Sequence, residues 1–167
     1  MIYKRMVAKK IRQTFDAINA GDYHFMLDGL ADDFTYHFHG EHALGGTRST
    51  RASMEAWWER VGRLLPGACF DVREVLITGG PWQTRVAVNT RVSGDLPDGS
   101  QYRNVVLQLL TLRWGKVTDV ETLENLQVLE RALRVVADHG HPEALADPIQ
   151  DPHRGTTHPD THGPNVR

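Results

Sequence analysis

The sequence predicts an α+β fold, with helices first and an antiparallel meander after them. Three observations carry that expectation. Apolar residues recur at helical spacing at Val7, Ile11, Phe15 and Ile18, and again at Met54, Trp57, Trp58, Val61, Leu64 and Leu65. Residues 70–124 read instead as extended segments broken by turn signals. Between two of those segments lies Leu96-Pro-Asp-Gly99, whose turn chemistry suits a hairpin.

The elements follow in order. The first helical stripe stops at Asn19-Ala-Gly21, and Asp22 is placed to cap a short second helix carrying Phe25, Met26 and Leu30. Ala31-Asp-Asp33 leads into a strand over 34–39, followed by a glycine-rich loop over 40–47. The helix over 54–65 presents a wide apolar stripe and ends at Pro66-Gly67. Strands are predicted over 70–78, 82–92, 101–114 and 117–124, with Gly115-Lys116 as the last tight turn. Leu126, Leu129, Leu133 and Val136 mark a closing helix. Within 82–92, Thr84, Val86, Val88 and Thr90 alternate with Arg85, Ala87, Asn89 and Arg91, so periodicity sends Val86 and Val88 inward.

Composition bounds the function. Five acids and two arginines over 138–167 give that stretch −3 of the net −2, leaving 1–137 near +1. A near-neutral core offers no basic footprint for nucleic acid. The lone Cys69 forms no internal disulfide and suits a reducing compartment. No apolar run reaches membrane-span length and no signal-peptide core opens the chain, so a soluble cytoplasmic protein is expected. Residues 138–167 hold five of eight prolines and five of nine histidines. Such a segment buries too little to offset its ordering entropy, and a disordered tail is expected after a single domain over 1–137. His158 and His162 in that tail form a weak chelate pattern, but an incidental polar tail is the expected state.

The order helix, short helix, strand, glycine-rich loop, Trp-bearing helix and strands resembles the nuclear transport factor 2-like superfamily. The matching pieces are Asn19-Ala-Gly-Asp22, Ala31-Asp-Asp33, Gly46, Asp98-Gly99 with Tyr102 and Asn104, and Gly115-Lys-Val117, over roughly residues 7–133. The segment 36–47, Trp57-Trp58 and Gly80-Pro-Trp82 are most similar to the SnoaL-like, polyketide cyclase and ketosteroid isomerase-like branch. The resemblance implies a cone-shaped, curved mixed or antiparallel sheet wrapped by N-terminal helices, the nuclear transport factor 2-like or cystatin-like cup. It also implies a homodimer and a small hydrophobic metabolite as ligand, with no cofactor.

Two chemistries of this superfamily depart from the residues present. The isomerase needs a carboxylate base, a tyrosine and a protonated carboxylic acid. Matched positions fall on Phe38, Thr14 and near Gln108. Phenylalanine takes no proton, which argues against that mechanism. Limonene-epoxide hydrolases use two aspartates, an arginine, a tyrosine and an asparagine. Their positions fall on Thr122, Arg91, Asn89, Tyr36 and Phe38, so only the tyrosine matches.

These matches imply that Tyr36, Phe38, Asn89, Arg91, Tyr102, Asn104, Gln108, Val120, Thr122 and Glu124 face the cup. For Asn89 and Arg91 this opposes the alternation of Val86 and Val88, and the alternative stands. His37 and His39 share a strand face that Phe38's inward position turns outward. A metal there would need Glu41 or His42 as a further ligand, and none is expected; His39 is a reserve base if it turns inward. Tyr36, Arg91 and Glu124 are the candidate catalytic residues, with Phe38, Trp57, Trp58, Asn89, Tyr102, Asn104, Gln108, Val120 and Thr122 as ligand-binding candidates. Two functions fit. One is an enzyme of proton transfer, cyclisation or hydration on an oxygenated metabolite, and the other is a non-catalytic binding or dimeric interaction module with the same cup.

Overall fold

Val7, Ile11 and Phe15 are the buried residues of α1 (Ile2–Asn19) in a computed structural model that describes residues 2–151. The Asn19 side chain ties the end of that helix to the sheet, accepting from Phe70 N at 2.7 Å and donating to Phe70 O at 2.8 Å. A short α2 (His24–Asp28) follows, and β1 (Leu30–Phe38) begins directly after it. Leu30 therefore opens a strand rather than closing a helix. Gly29 ends the helix, and its carbonyl accepts from Val117 N at 2.9 Å, which commits the next residues to the sheet.

Beyond the glycine-rich loop come β2 (Gly46–Arg48) and α3 (Arg51–Leu64), capped by the Thr50 side chain accepting from Ser53 N. The meander is β3 (Cys69–Gly80), β4 (Gln83–Asp95), β5 (Gln101–Arg113) and β6 (Lys116–Glu124), and α4 (Leu126–Asp138) closes it. The β4–β5 turn is the one expected, with Gly99 at φ +83°. The last turn sits one residue earlier than expected, on Trp114 (φ 51°) and Gly115 (φ 78°), the paired positive φ values that a two-residue hairpin requires.

The strands form one curved, unclosed sheet in the order β2-β1-β6-β5-β4-β3. β1 and β6 run parallel; the other neighbours are antiparallel. Val88 lies opposite Gln108, Val92 opposite Asn104, and Gln108 opposite Thr122, so even-numbered residues of β4, β5 and β6 share the concave face. That face packs on the buried residues of α1 and α3. None of the described helices is long and apolar enough to cross a membrane.

The segment 139–151, expected to be disordered, follows the body of the fold. It forms a 3-10 turn at Pro142–Leu145, and Glu143 takes hydrogen bonds from Arg60 and Arg63 at 2.9–3.0 Å. Asp151 then accepts from Ser49 N (2.6 Å) and Thr50 N (3.0 Å) at the start of α3, where a carboxylate is favoured. Composition missed this because the segment is held by a few specific polar contacts, with Ala144 as its one core residue among those described. The rest of the expected tail, with His158 and His162, lies outside the described residues.

Candidate functional site

Sheet alternation and the α1–α3 layer leave a cavity of about 650 Å³ on the concave face. Its wall is mainly apolar and aromatic, with Phe38, Trp57, Trp58, Val88 and Val120 among the lining residues. Between α1 and α2 the wall reaches the surface, where Met6, Lys10 and Phe25 line it and are exposed. On the sheet side of this wall polar side chains gather at two points, one on β5 and β6 and the other shared by β1, β5 and β6.

The first group centres on Glu124. Tyr102 donates its hydroxyl to Glu124 Oε2, and Asn104 Nδ2 donates to the same oxygen at 3.0 Å. Asn104 also donates to Asn125 O at 3.0 Å, while Asn125 caps α4. Glu124 Oε1 has no hydrogen-bond partner among the described residues, so the carboxylate is anchored by one oxygen and keeps the other for the cavity. Burial pushes the Glu124 carboxyl up to about 7, against the opposing pull of the Tyr102 and Asn104 hydrogen bonds. The Tyr102 hydroxyl is pushed up as well, first by burial and then by the neighbouring carboxylate.

The second group centres on Tyr36. Gln108 Nε2 donates to Thr122 Oγ1 at 3.0 Å, and Thr122 donates to the Tyr36 oxygen at 3.2 Å. The Tyr36 oxygen is thus an acceptor within the protein, and its own proton is left for a ligand. Burial raises the Tyr36 hydroxyl, while Thr122 and Arg48 pull it down. Thr122 and Glu124 are two residues apart on one strand face, about 7 Å by strand geometry. A donor and a carboxylate oxygen therefore face one apolar chamber from neighbouring positions. The Trp58 Nε1–H, in the same wall, is buried without a partner among the described residues.

Of the residues predicted from sequence, Tyr36, Phe38, Trp57, Trp58, Tyr102, Gln108, Val120, Thr122 and Glu124 line this cavity. Asn104 is buried behind it, in contact with Glu124. Arg91 and Asn89 are corrections. Arg91 is exposed, and Asn89 lies on the convex face beside Leu107, because β4 pairs with β5 without a bulge and so keeps odd-numbered residues outside. The alternation of Val86 and Val88 held the right signal. His39 also faces outward and bonds Glu121 Oε1 at 2.7 Å, while His37 bonds Thr47 Oγ1 at 2.8 Å. Arg48 was not singled out by sequence. It is 0 % exposed and packs against Tyr36 and Trp57, with its guanidinium carbon 5.4 Å and 5.0 Å from their ring centroids. Only the short strand β2, which aligns Arg48 opposite Tyr36, brings it there.

Comparison with known proteins fits this geometry. The SnoaL-like domain family model matches residues 11–120. No curated protein matches the chain. Among solved structures, TerC co-crystallised with polyporic acid superposes with a TM-score of 0.64 at 20% identity, covering 75% of this chain and 96% of that one. IdmH, a putative polyketide cyclase from Streptomyces antibioticus, gives 0.63 at 18% identity, covering 77% and 98%. An NTF2-like protein from Burkholderia xenovorans LB400 gives 0.59 at 21% identity, covering 77% and 95%. At these identities the likeness is one of fold.

Proposed function

The chain belongs to the SnoaL-like domain family, and from that premise we propose that it catalyses cofactor-free proton transfer on a hydrophobic, carbonyl-bearing metabolite. The observation that carries this is the Glu124 carboxyl, raised to about 7 by burial and anchored by Tyr102 and Asn104 through one oxygen only. A base poised near neutral pH combines a populated ionised form with driving force for proton transfer. Glu124 Oε1 takes a proton from a carbon next to the ligand carbonyl. The C–H electron pair moves into the enolate, and the Tyr36 hydroxyl donates to the oxygen that gains charge. The carboxylic acid then returns its proton to carbon, or the enolate carbon attacks a second carbonyl and closes a ring, the carboxylic acid giving its proton to the alkoxide oxygen that forms.

A putative polyketide cyclase and a protein crystallised with polyporic acid stand among the similar structures, which supports an oxygenated small molecule as the ligand class. The aromatic wall of Phe38, Trp57 and Trp58 suits a flat hydrophobic skeleton. Lone, exposed Cys69 suits a reducing compartment such as the cytoplasm.

The test uses 2-tetralone, a bicyclic ketone with acidic α-protons, and follows deuterium uptake from D₂O by NMR. The exchange rate catalysed by the protein is expected to rise with pH through about 7, since the ionised carboxylate is the base. Tyr102→Phe removes a hydrogen bond that favours the ionised form, so its profile shifts to higher pH. Ligand binding without exchange at any pH would leave the non-catalytic binding module as the function.

The convex face carries exposed Leu107, Leu109 and Leu123 on the neighbouring strands β5 and β6, and exposed Leu76 on β3, across β4 from them. An apolar row of this kind supports a homodimer formed through that face. Sedimentation should find a dimer for the native chain and a monomer for Leu109→Asp; a native monomer would refute it.

A further inference from the structure

A buried arginine without a carboxylate needs an explanation. Arg48 takes part in no ion pair among the described residues. Its N–H groups go to neutral carbonyl oxygens: Gly45 O at 2.7 Å, Ile149 O at 2.8 Å and Gly46 O at 3.2 Å. Its Nε is buried with no partner among the described residues. Burial, with a smaller push from Arg60, takes the guanidinium down to about 10 against the opposing pull of Tyr36 and Asp151, and Asp151 is itself engaged by Ser49, Thr50 and Ser53. Carbonyl dipoles hold the cation in place without cancelling its charge, an arrangement that costs stability. That charge lies behind two walls of the cavity, the rings of Tyr36 and Trp57.

We propose that Arg48 is a positioning residue of the cavity, whose uncancelled charge stabilises a negative charge formed on a ligand oxygen at the Tyr36 hydroxyl. The proposal rests on the proton-transfer reading and gives it a direction. Before the transfer the negative charge sits on Glu124, which pairs with no cation among the described residues and is held by Tyr102 and Asn104. After it, the charge sits on the ligand oxygen beside Tyr36, on the Arg48 side. Arg48 therefore favours the state after transfer over the state before it, as a group acting on the barrier must. The other charged groups acting on this pair are Glu124 on Tyr36, and Asp151 and Arg60 on Arg48. The ligand class narrows accordingly to hydrophobic carbonyl compounds with an acidic enol, bound neutral and turned into the enolate in the cavity; a phenolate mimics that anion.

The test needs no turnover. In the Glu124→Gln protein the carboxyl no longer titrates in the cavity, and bound 4-nitrophenol reports its own ionisation by absorbance. The bound probe should ionise at a pH below its value in water, with a preference of roughly tenfold or more for the phenolate. Arg48→Gln should abolish that preference, and Arg48→Lys should retain its sign, which a merely structural role would not do. Uptake of the neutral phenol in preference to the phenolate, or of neither, with Arg48 in place overturns the proposal even if Arg48→Gln fails to fold. An Arg48→Gln protein that folds and keeps the preference overturns it too. Loss of 2-tetralone exchange in Glu124→Gln is read separately, so failure of the proton-transfer function and failure of this role for Arg48 are distinct results.

Discussion

Glu124→Gln is expected to abolish catalysed exchange of 2-tetralone, by about 10²–10⁴-fold, while raising stability above neutral pH. The loss follows from removing the base. The substitution keeps the shape and an amide oxygen to accept from Tyr102 and Asn104, so the anchoring contacts persist. The stability gain follows from linkage. The carboxyl is raised to about 7 in the folded chain from its ordinary value of 4.5, so the native state binds the proton more tightly. Native stability is therefore full below the unfolded value and falls as pH rises from about 4.5 to about 7, by roughly 3 kcal/mol. Glutamine has no charge to bury and escapes this loss. Urea unfolding should show the variant more stable than the native chain at about pH 8 and the difference closing at about pH 4. Equal stability at both pH values would contradict a buried, raised carboxyl.

Trp57→Ala is expected to destabilise the fold by about 3–5 kcal/mol, a large fraction of the stability of a typical domain. Trp57 is buried on α3, its ring 5.5 Å from Tyr36 and 4.8 Å from Trp58 by centroid, and its Nε1 donates to Leu44 O at 2.9 Å. Truncation leaves that carbonyl unpaired, opens a void behind the cavity and removes one of the two rings that shelter Arg48. Trp57→Phe retains an aromatic face for the cation and should cost markedly less. Denaturant midpoints measure both; an alanine variant within about 1 kcal/mol of the native chain would show that the Trp57 packing is dispensable.

Residue periodicity carried the element order well because helix stripes and strand alternation repeat over many positions. Faces were harder. Phe38 and Tyr36 were placed inward correctly, whereas Arg91 was placed inward by counting back from Pro97, where one residue of slip reverses a strand's faces. The plain alternation of Val86 and Val88 was the better guide, since an apolar concave face and charged convex positions follow from burial energy. Glu124 and Tyr102 were both placed inward, but their pairing was not read, since Tyr102 lies 22 positions earlier and four residues along β5 from Val106, the register partner of Glu124. Arg48 and the segment 139–151 escaped notice for one reason. A three-residue strand and a chain of carbonyl and carboxylate contacts leave no periodic trace.

The proton-transfer function stands on the Glu124 carboxyl being poised near neutrality. A pH titration followed by carboxyl ¹³C NMR, with Glu124→Gln used to assign the resonance, measures it without knowledge of the ligand. The expected midpoint is about 7. A midpoint in the ordinary carboxylate range, near about 4, would contradict it.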